Sequence, residues 1–522
     1  MATGQPSLYA DFSGGVNLQS GPYLLTENQC QDCRNVRSLR DGSIEKRNGF
    51  TTVADSTDFT ALDGAAHTLF PVNLPTKSLL IVGKQAAASN DRIIKSTTAG
   101  IPTTLVSGLT QGKRWEFVQG PVHDPTGTPQ GPIYGLNGSD NPQQWAGSGS
   151  MTEWLAFNAA GSPFGTGAHP AKDCTLLYYH LDKFWASGDP NYPGRVWSTG
   201  VDASTGLPDP CNWDSDFIDD VEPEDGEEIT AFGEVGPYLL VFKSHKMFVL
   251  SDPVGRAYRQ VSSTIGCAAS RSVVETSKGT LFLSEDLGVC VTDGTNITQL
   301  SDNIQPLLKD AIETSGLSFK NAAATYHQNS YWLSLPYQDS ANDITLEYNL
   351  VTGAWWIHTC NANQWALLDP VGLPTLYSIN AQSLLLEAAL VENVYADGGT
   401  AFESYWTGPF WPWGQPHLNK RVSQIRVDGI GAWEMYAATS FNTTYELLEP
   451  KIWESASTGT DFAGTGDFGT DGTFAPVGGV NNRRYWTPIQ GWGRAWSLKV
   501  FNNDPYELQL YSMAAFVRGR SD

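Results

Sequence analysis

The sequence predicts an all-β chain: a β-propeller of about seven blades, with six to eight as the bounds, followed by a β-sandwich-like module. Three observations lead there. The first is the stretch Gly279–Ile304, where strand-like runs (Leu281-Phe282-Leu283, Val289 to Val291, Ile297 to Leu300) alternate with turn residues (Ser284 to Gly288, then Asp293-Gly294). Asp bonds its own backbone and Gly accepts positive φ, so this pattern folds as a meander, the unit of a propeller blade. The second is recurrence, since comparable meanders return at roughly 40 to 55 residues, the spacing of propeller-type repeats. The third is composition. The chain has 522 residues with 52 Gly, 30 Pro and 18 Trp, 40% hydrophobic and only 17% charged, a profile of many turns and broad half-buried strand faces.

Taken in order, residues 1–64 read as an N-terminal segment with a short helix and a hairpin, packed on or closing the propeller. Thr26-Glu27-Asn28-Gln29 has the capping-box pattern, which predicts a helix over about 27–33 carrying Cys30 and Cys33. Asn35-Val36-Arg37 and Ser43 to Arg47 read as strands around the Asp41-Gly42 turn. A zinc site would want a second cysteine pair beside Cys30 and Cys33, but the next cysteine is Cys174. The seven cysteines are therefore expected as buried thiols of a reducing compartment.

Residues 65–400 form the expected propeller. Its meanders begin at His67, Trp115, Cys174, Glu228, Gly279, Asn321 and Gln364. Within it, Asn303 to Ile312 is the one helical pattern, expected as a connection between blades. Residues 401–522 form the expected sandwich, with alternating strands at Lys420 to Val427, Ala495 to Val500 and Tyr506 to Tyr511. The glycine-rich run 458–479 inside it lacks a core pattern and is expected as a long surface loop. Its Asp461, Phe462, Asp467, Phe468 and Asp471 are candidates for assembly or receptor contact.

Charge and motif content exclude several classes of function. A formal net charge of −23 is wrong for a protein that neutralises phosphates. No apolar run reaches the length of a membrane-spanning helix, and the N-terminus has no signal-peptide pattern. No Walker A, GxSxG, HExxH or dinucleotide fingerprint occurs, so no catalytic residue, cofactor or metal is expected. Ser284-Glu285-Asp286-Leu287-Gly288 is similar to the aspartic box of sialidase-type propellers, but Val291 stands where that box has Trp. The densest charge feature is the run Asp214, Asp216, Asp219, Asp220, Glu222, Glu224, Asp225, Glu227 and Glu228. It lacks EF-hand spacing. A solvated loop is the plain expectation for it. The functional one is a channel-facing loop that repels a passing polyanion.

The ordered pattern resembles the tail nozzle proteins of short-tailed phages, the β-propeller tail tubular and head-completion (stabilisation) proteins. The residues that carry the resemblance are Gly14 to Asn17, Pro22, Asn35-Val36-Arg37, Asp41-Gly42-Ser43 and Lys46-Arg47-Asn48-Gly49-Phe50. Further segments agree in order: Asp225 to Thr230 with Leu240 to Lys243, Gly279–Ile304, Asn329 to Leu333 with Tyr348, Asn349 and Trp355, and Gly491 to Arg494 with Asn502-Asn503. The resemblance implies a structural virion protein of the phage tail, not an enzyme, made in the bacterial host cytoplasm. It implies a ring of subunits, usually a hexamer, that extends the portal–adaptor channel, retains the genome and gates DNA ejection. The implied partners are further copies of itself, the adaptor or head-tail connector protein, tail fibre or spike proteins, and DNA passing without sequence-specific binding. Two alternatives remain: a minor tail or tip protein of a long-tailed phage contacting the host receptor, and a carbohydrate-binding or glycoside-cleaving propeller.

Overall fold

The computed structural model describes residues 6–520 apart from 54–65, 73–77, 85–89, 97–102, 121–132, 159–161, 166, 202–207, 215–216, 253–255, 315, 369–373, 382–385, 414–415, 432–433, 449, 456–480 and 487–491. The chain parts into two compact units. One comprises Thr52–Thr345 and Cys360–Ala389, the other Met1–Thr51, Leu346–Thr359 and Leu390–Asp522.

The first unit holds most of the propeller. Five antiparallel four-stranded sheets follow one another in chain order. Blade 1 is Ala66–Val72, Ser78–Lys84, Asp91–Ser96 and Thr103–Leu109; blade 2 is Glu116–Gln119, Ile133–Leu136, Gln143–Trp145 and Thr152–Glu153. Blade 3 is Leu176–His180, Lys183–Ser187, Arg195–Ser198 and Ile218–Asp220; blade 4 is Ile229–Val235, Tyr238–Lys243, Met247–Asp252 and Ala257–Ser262. Blade 5, Val274–Thr276, Gly279–Ser284, Gly288–Thr292 and Ile297–Gln299, contains the meander read from the sequence. Its Ser284 to Gly288 segment reverses the chain between the second and third strands, with Gly288 at φ 75°. The sixth sheet is Ala323–His327, Ser330–Leu335, Ile344–Asn349 and Trp355–His358. The seventh is Ala362–Leu368, Thr375–Asn380 and Leu386–Val391, then Gly49–Thr52. The connection from the fifth to the sixth contains Gln305–Lys309 as an α-helix, where a helix was expected.

The ring closes through its first strands. Those of blades 1 to 7 neighbour one another in that order, and Ala362–Leu368 returns beside Ala66–Val72. Closure leaves no open end to the stack of sheets, so short and irregular repeats still bury their faces. The core lies between neighbouring sheets. Val72, Ile93 and Leu109 of blade 1 pack with Trp115, Phe117 and Ile133 of blade 2. Ala66, Leu69 and Leu79 pack with Leu368, Tyr377 and Ile379 of blade 7. Trp154 and Trp213 cross edge to face between blades 2 and 3, and both indole N–H groups donate to the Pro210 carbonyl at 3.1 Å.

The second unit contains two larger sheets. One, of seven strands, includes Asn419–Ile430 and Gln509–Arg520, with Pro6–Tyr9, Val36–Ser38 and Ile44–Lys46 from the N-terminus. The other, of five, runs Asp32–Arg34, Ser404–Thr407, Trp496–Asn502, Glu434–Thr439 and Asn442–Leu448. The expected hairpin around Asp41-Gly42 is present, and Asp41 Oδ1 accepts from the Ser43 N–H at 3.0 Å. Of the N-terminal segment expected to pack on or close the propeller, Gly49–Thr52 joins the seventh sheet, while Pro6–Tyr9, Val36–Ser38 and Ile44–Lys46 complete a sheet with strands from after residue 400. The expected helix over 27–33 is absent. Gln29–Cys30 and Asp32–Arg34 are strands there. Half of the capping interaction survives, as the Thr26 N–H donates to Gln29 Oε1 at 3.3 Å, but it closes a single turn. Pairing to Ser404–Thr407 satisfies the following backbone instead, a tertiary demand overriding a local signal.

Candidate functional site

At the propeller axis the first strands surround a cavity of about 210 Å³. Leu176, Tyr178, Phe232, Val273 and Trp365 are among the lining side chains. The space exists because the first strand of the sixth sheet presents Ala323 and Ala324 where blades 3 and 4 present Leu, Tyr and Phe. Two charged side chains also line it, Glu116 and Arg271, whose Oε2 and Nη2 atoms lie 4.0 Å apart. Arg271 further donates from Nη2 to the Trp115 carbonyl at 3.5 Å, a weak bond, and its Nη1 is buried with no hydrogen-bond partner among the described residues.

Arg114 adds a second guanidinium close by, donating from Nη2 to Asn363 Oδ1 at 2.7 Å. Burial, followed by the charge of Arg271, lowers Arg114 to about 10, with Glu116 opposing. Burial raises the Glu116 carboxyl, and the two arginines pull it back. Nearby, His67 Nε2 lies 2.8 Å from Asp91 Oδ2, which also accepts the Gly112 N–H at 2.6 Å. Burial lowers the pKa of His67 and outweighs Asp91, so the imidazole is neutral at pH 7.

A second polar group lies further along the same strands. His180 at the end of the first strand of blade 3 places Nδ1 2.8 Å from Glu234 Oε2 of blade 4, and its Nε2 faces the Pro237 carbonyl at 3.1 Å. Burial and the neighbouring Glu234 raise the pKa of Glu275 of blade 5. Among the described residues no group of His, Cys, Asp and Glu side chains has the arrangement of a metal site. No helix among them is long and apolar enough to cross a membrane.

The acidic run lies elsewhere, where the outer strand of blade 3 leads into blade 4. Asp219 accepts from Arg256 Nε at 2.9 Å and from the Tyr258 hydroxyl at 3.0 Å, and Asp220 pairs with Arg195 at 2.8 Å. Asp225 takes the ammonium groups of both Lys243 and Lys246, each at 2.8 Å. Glu222 pairs with Lys246, Glu227 with His245 and Glu228 with Lys320. Five of these carboxylates thus pair with a Lys or Arg, an arrangement unlike a bare solvated loop. Glu224 is exposed, and Asp216 lies outside the described residues. Asp461, Phe462, Asp467, Phe468 and Asp471 also lie outside them.

Sequence reasoning did not single out the axial residues. Arg114 and Glu116 sit inside an aromatic strand pattern, and Arg271 lies in the short 3-10 helix Ser270–Ser272, 155 residues beyond Glu116 (271 − 116). Nothing local brings the three together. The ring does.

The chain contains a β-propeller. No family model matches it, and no curated protein does. Among solved structures it is similar to the WD40 domain of Pan2 from Neurospora crassa, with a TM-score of 0.34 and 9% identity over 66% of this chain and 94% of that one. It is also similar to the extracellular domain of a one-component system from B. thetaiotaomicron, with 0.38 and 10% over 81% and 58%. A third is apo AztD from Citrobacter koseri, with 0.30 and 12% over 53% and 82%. At these identities and scores the likenesses carry no argument, and the blade architecture rests on the sheet order.

Proposed function

We propose that the chain is a structural protein of a phage tail, a nozzle subunit that forms a ring, of six copies, beneath the portal and adaptor. In that position it extends the channel, retains the packaged genome and gates its exit. What supports the reading most directly is where the residues of the resemblance lie. Asn35, Lys46 and Arg47 are buried, and Arg37 binds the buried Glu347 at 2.9 Å. Lys46 donates to the backbone carbonyls of Phe402 and Asp504 at 3.1 and 2.6 Å, and Asn35 Nδ2 to that of Glu403 at 2.7 Å. These side chains form a framework that fixes the two-sheet unit, which is the work expected of an assembly protein. The partners in this reading are further copies of the chain, the adaptor, fibre or spike proteins, and DNA that passes without sequence-specific contact. A net charge of −23 suits a wall from which a polyanion slides. Electron cryomicroscopy of the particle that carries this chain tests the proposal. A sixfold ring of this fold below the adaptor is expected. Density at a fibre tip instead, or absence from the particle, overturns it.

A further inference from the structure

We propose that the side chains of Lys46 and Asn502 join as an amide, a covalent tie that the folded chain makes between the two larger sheets. The amine is the first requirement. Lys46 ends the strand Ile44–Lys46 of the seven-stranded sheet, is 1% exposed and forms no ion pair among the described residues. Its Nζ faces the carbonyls of Phe402 and Asp504, the side-chain oxygen of Asn502 and, at 4.3 Å, the Phe402 ring. Burial, then the neighbouring Arg47, lower its pKa to about 8, against the pull of Asp504 and Asp397. At pH 7 about a tenth of it is therefore the free amine, the form that attacks a carbonyl carbon. Desolvation beside a second cation is how a lysine becomes a nucleophile.

The acceptor is placed to receive it. Asn502 ends the strand Trp496–Asn502 of the five-stranded sheet and is 3% exposed. Its Oδ1 lies 3.5 Å from Lys46 Nζ, so the fold holds amine and amide together across 456 residues of chain and has already met the entropy cost of their encounter. The same Oδ1 accepts the Asp504 N–H at 3.0 Å, a donor that steadies the charge developing on that oxygen. Asn502 Nδ2 donates to Asp504 Oδ2 at 3.4 Å, which sets a carboxylate beside the leaving nitrogen. In the step, Nζ attacks Asn502 Cγ and the Cγ–Nδ2 bond breaks. The proton given up by Nζ passes through the Asp504 carboxylate to Nδ2, which leaves as ammonia. Atoms and electrons balance without an oxidant.

Intact mass of the denatured full chain, followed by tryptic mapping, tests this. A mass lower than that of the sequence by about 17 Da, one ammonia, is expected, together with a branched peptide that is uncleaved at Lys46 and contains Asn502. The branched peptide matters because a succinimide at Asn48 or Asn137, each followed by Gly, sheds the same mass. Lys46→Arg keeps the positive charge but should restore the full sequence mass. Asp504→Asn keeps the backbone N–H and removes the carboxylate, so it should leave most of the chain unjoined; this half-buried position keeps the comparison if Lys46→Arg fails to fold. The full sequence mass in the wild-type chain, an ammonia loss without the branched peptide, or undiminished joining in Asp504→Asn each overturns the proposal.

Discussion

Arg47 holds both carboxylate oxygens of Asp397, Nη1 on Oδ1 at 2.9 Å and Nη2 on Oδ2 at 2.5 Å, across 350 residues of chain. The guanidinium is fully buried, donates from Nε to Asn35 Oδ1 at 2.8 Å and lies 3.9 Å from the centre of the Phe402 ring. Removing one partner of such a pair strands the other. Asp397→Ala is expected to lower stability by about 3–5 kcal/mol, read from the urea midpoint. Arg47→Lys keeps the charge but loses the two-pronged grip, so it should destabilise as well. A neutral outcome for both would mean that the pair is incidental.

Two carboxylates of the acidic run should behave very differently. Burial works against the charge of Asp225, yet the bonds from Lys243 and Lys246 hold its pKa down to about 2. Lys243 has no exposed side-chain surface and depends on that carboxylate. Asp225→Asn is therefore expected to cost about 3 kcal/mol or more. Asp220 pairs with Arg195 with 41% of its side chain exposed, so Asp220→Asn should cost under ~1 kcal/mol. Chemical denaturation of the two variants side by side checks the contrast.

Gly49 leaves no room for a side chain. A Cβ there would sit 2.1 Å from the Ala396 carbonyl oxygen, on backbone that cannot rotate aside. Gly49→Ala should part Gly49–Thr52 from Ala396–Asp397 and destabilise the chain by at least ~1–3 kcal/mol, measured by thermal or urea unfolding. Gly21, with nothing near its Cβ position, is the control: Gly21→Ala should leave the midpoint unchanged.

His169 is expected to make the propeller acid-sensitive. Burial lowers it to about 3, its ring lies between Trp154 and Trp213, and its Nδ1 accepts the Ala171 N–H at 3.0 Å. Its pKa is depressed in the folded state, so above ~6.5 neither state binds the proton and nothing is lost. As the pH falls from ~6.5 towards about 3, the unfolded state takes the proton first and stability drops, by up to ~1.4 kcal/mol per unit. His169→Phe should flatten the stability profile between pH 6.5 and 4.5. An unchanged slope would remove His169 as its cause.

If the acidic run faces a DNA channel, its exposed members should set the friction. Glu224 is exposed with no ion pair among the described residues, and Glu228 holds Lys320 only at the surface. Changing both to Lys in the particle should slow DNA ejection, whereas changing Asp225 would confound charge with folding. Ejection kinetics equal to wild type would take the run out of the channel.

Much of the blade pattern was legible because turns are local. Asp293-Gly294 and Ser284 to Gly288 carry their instruction within a few residues, and the strands they separate fell where the pattern placed them. The Thr26 to Gln29 signal was local too and misled. It describes one turn, and whether that turn grows into a helix depends on which strand the next residues meet.

The sequence by itself determined that the chain is built of short antiparallel strands, where most of them turn, and that the whole carries a large negative charge. Only the tertiary structure decided which strands meet. Residues 6–9 and 36–46 complete sheets begun after residue 400, and Glu116 and Arg271 meet at one cavity. The physical reason is that a half-buried strand shows the same alternation whichever neighbour it has. A charged residue likewise reads as solvated until folding supplies the counter-charge that allows its burial.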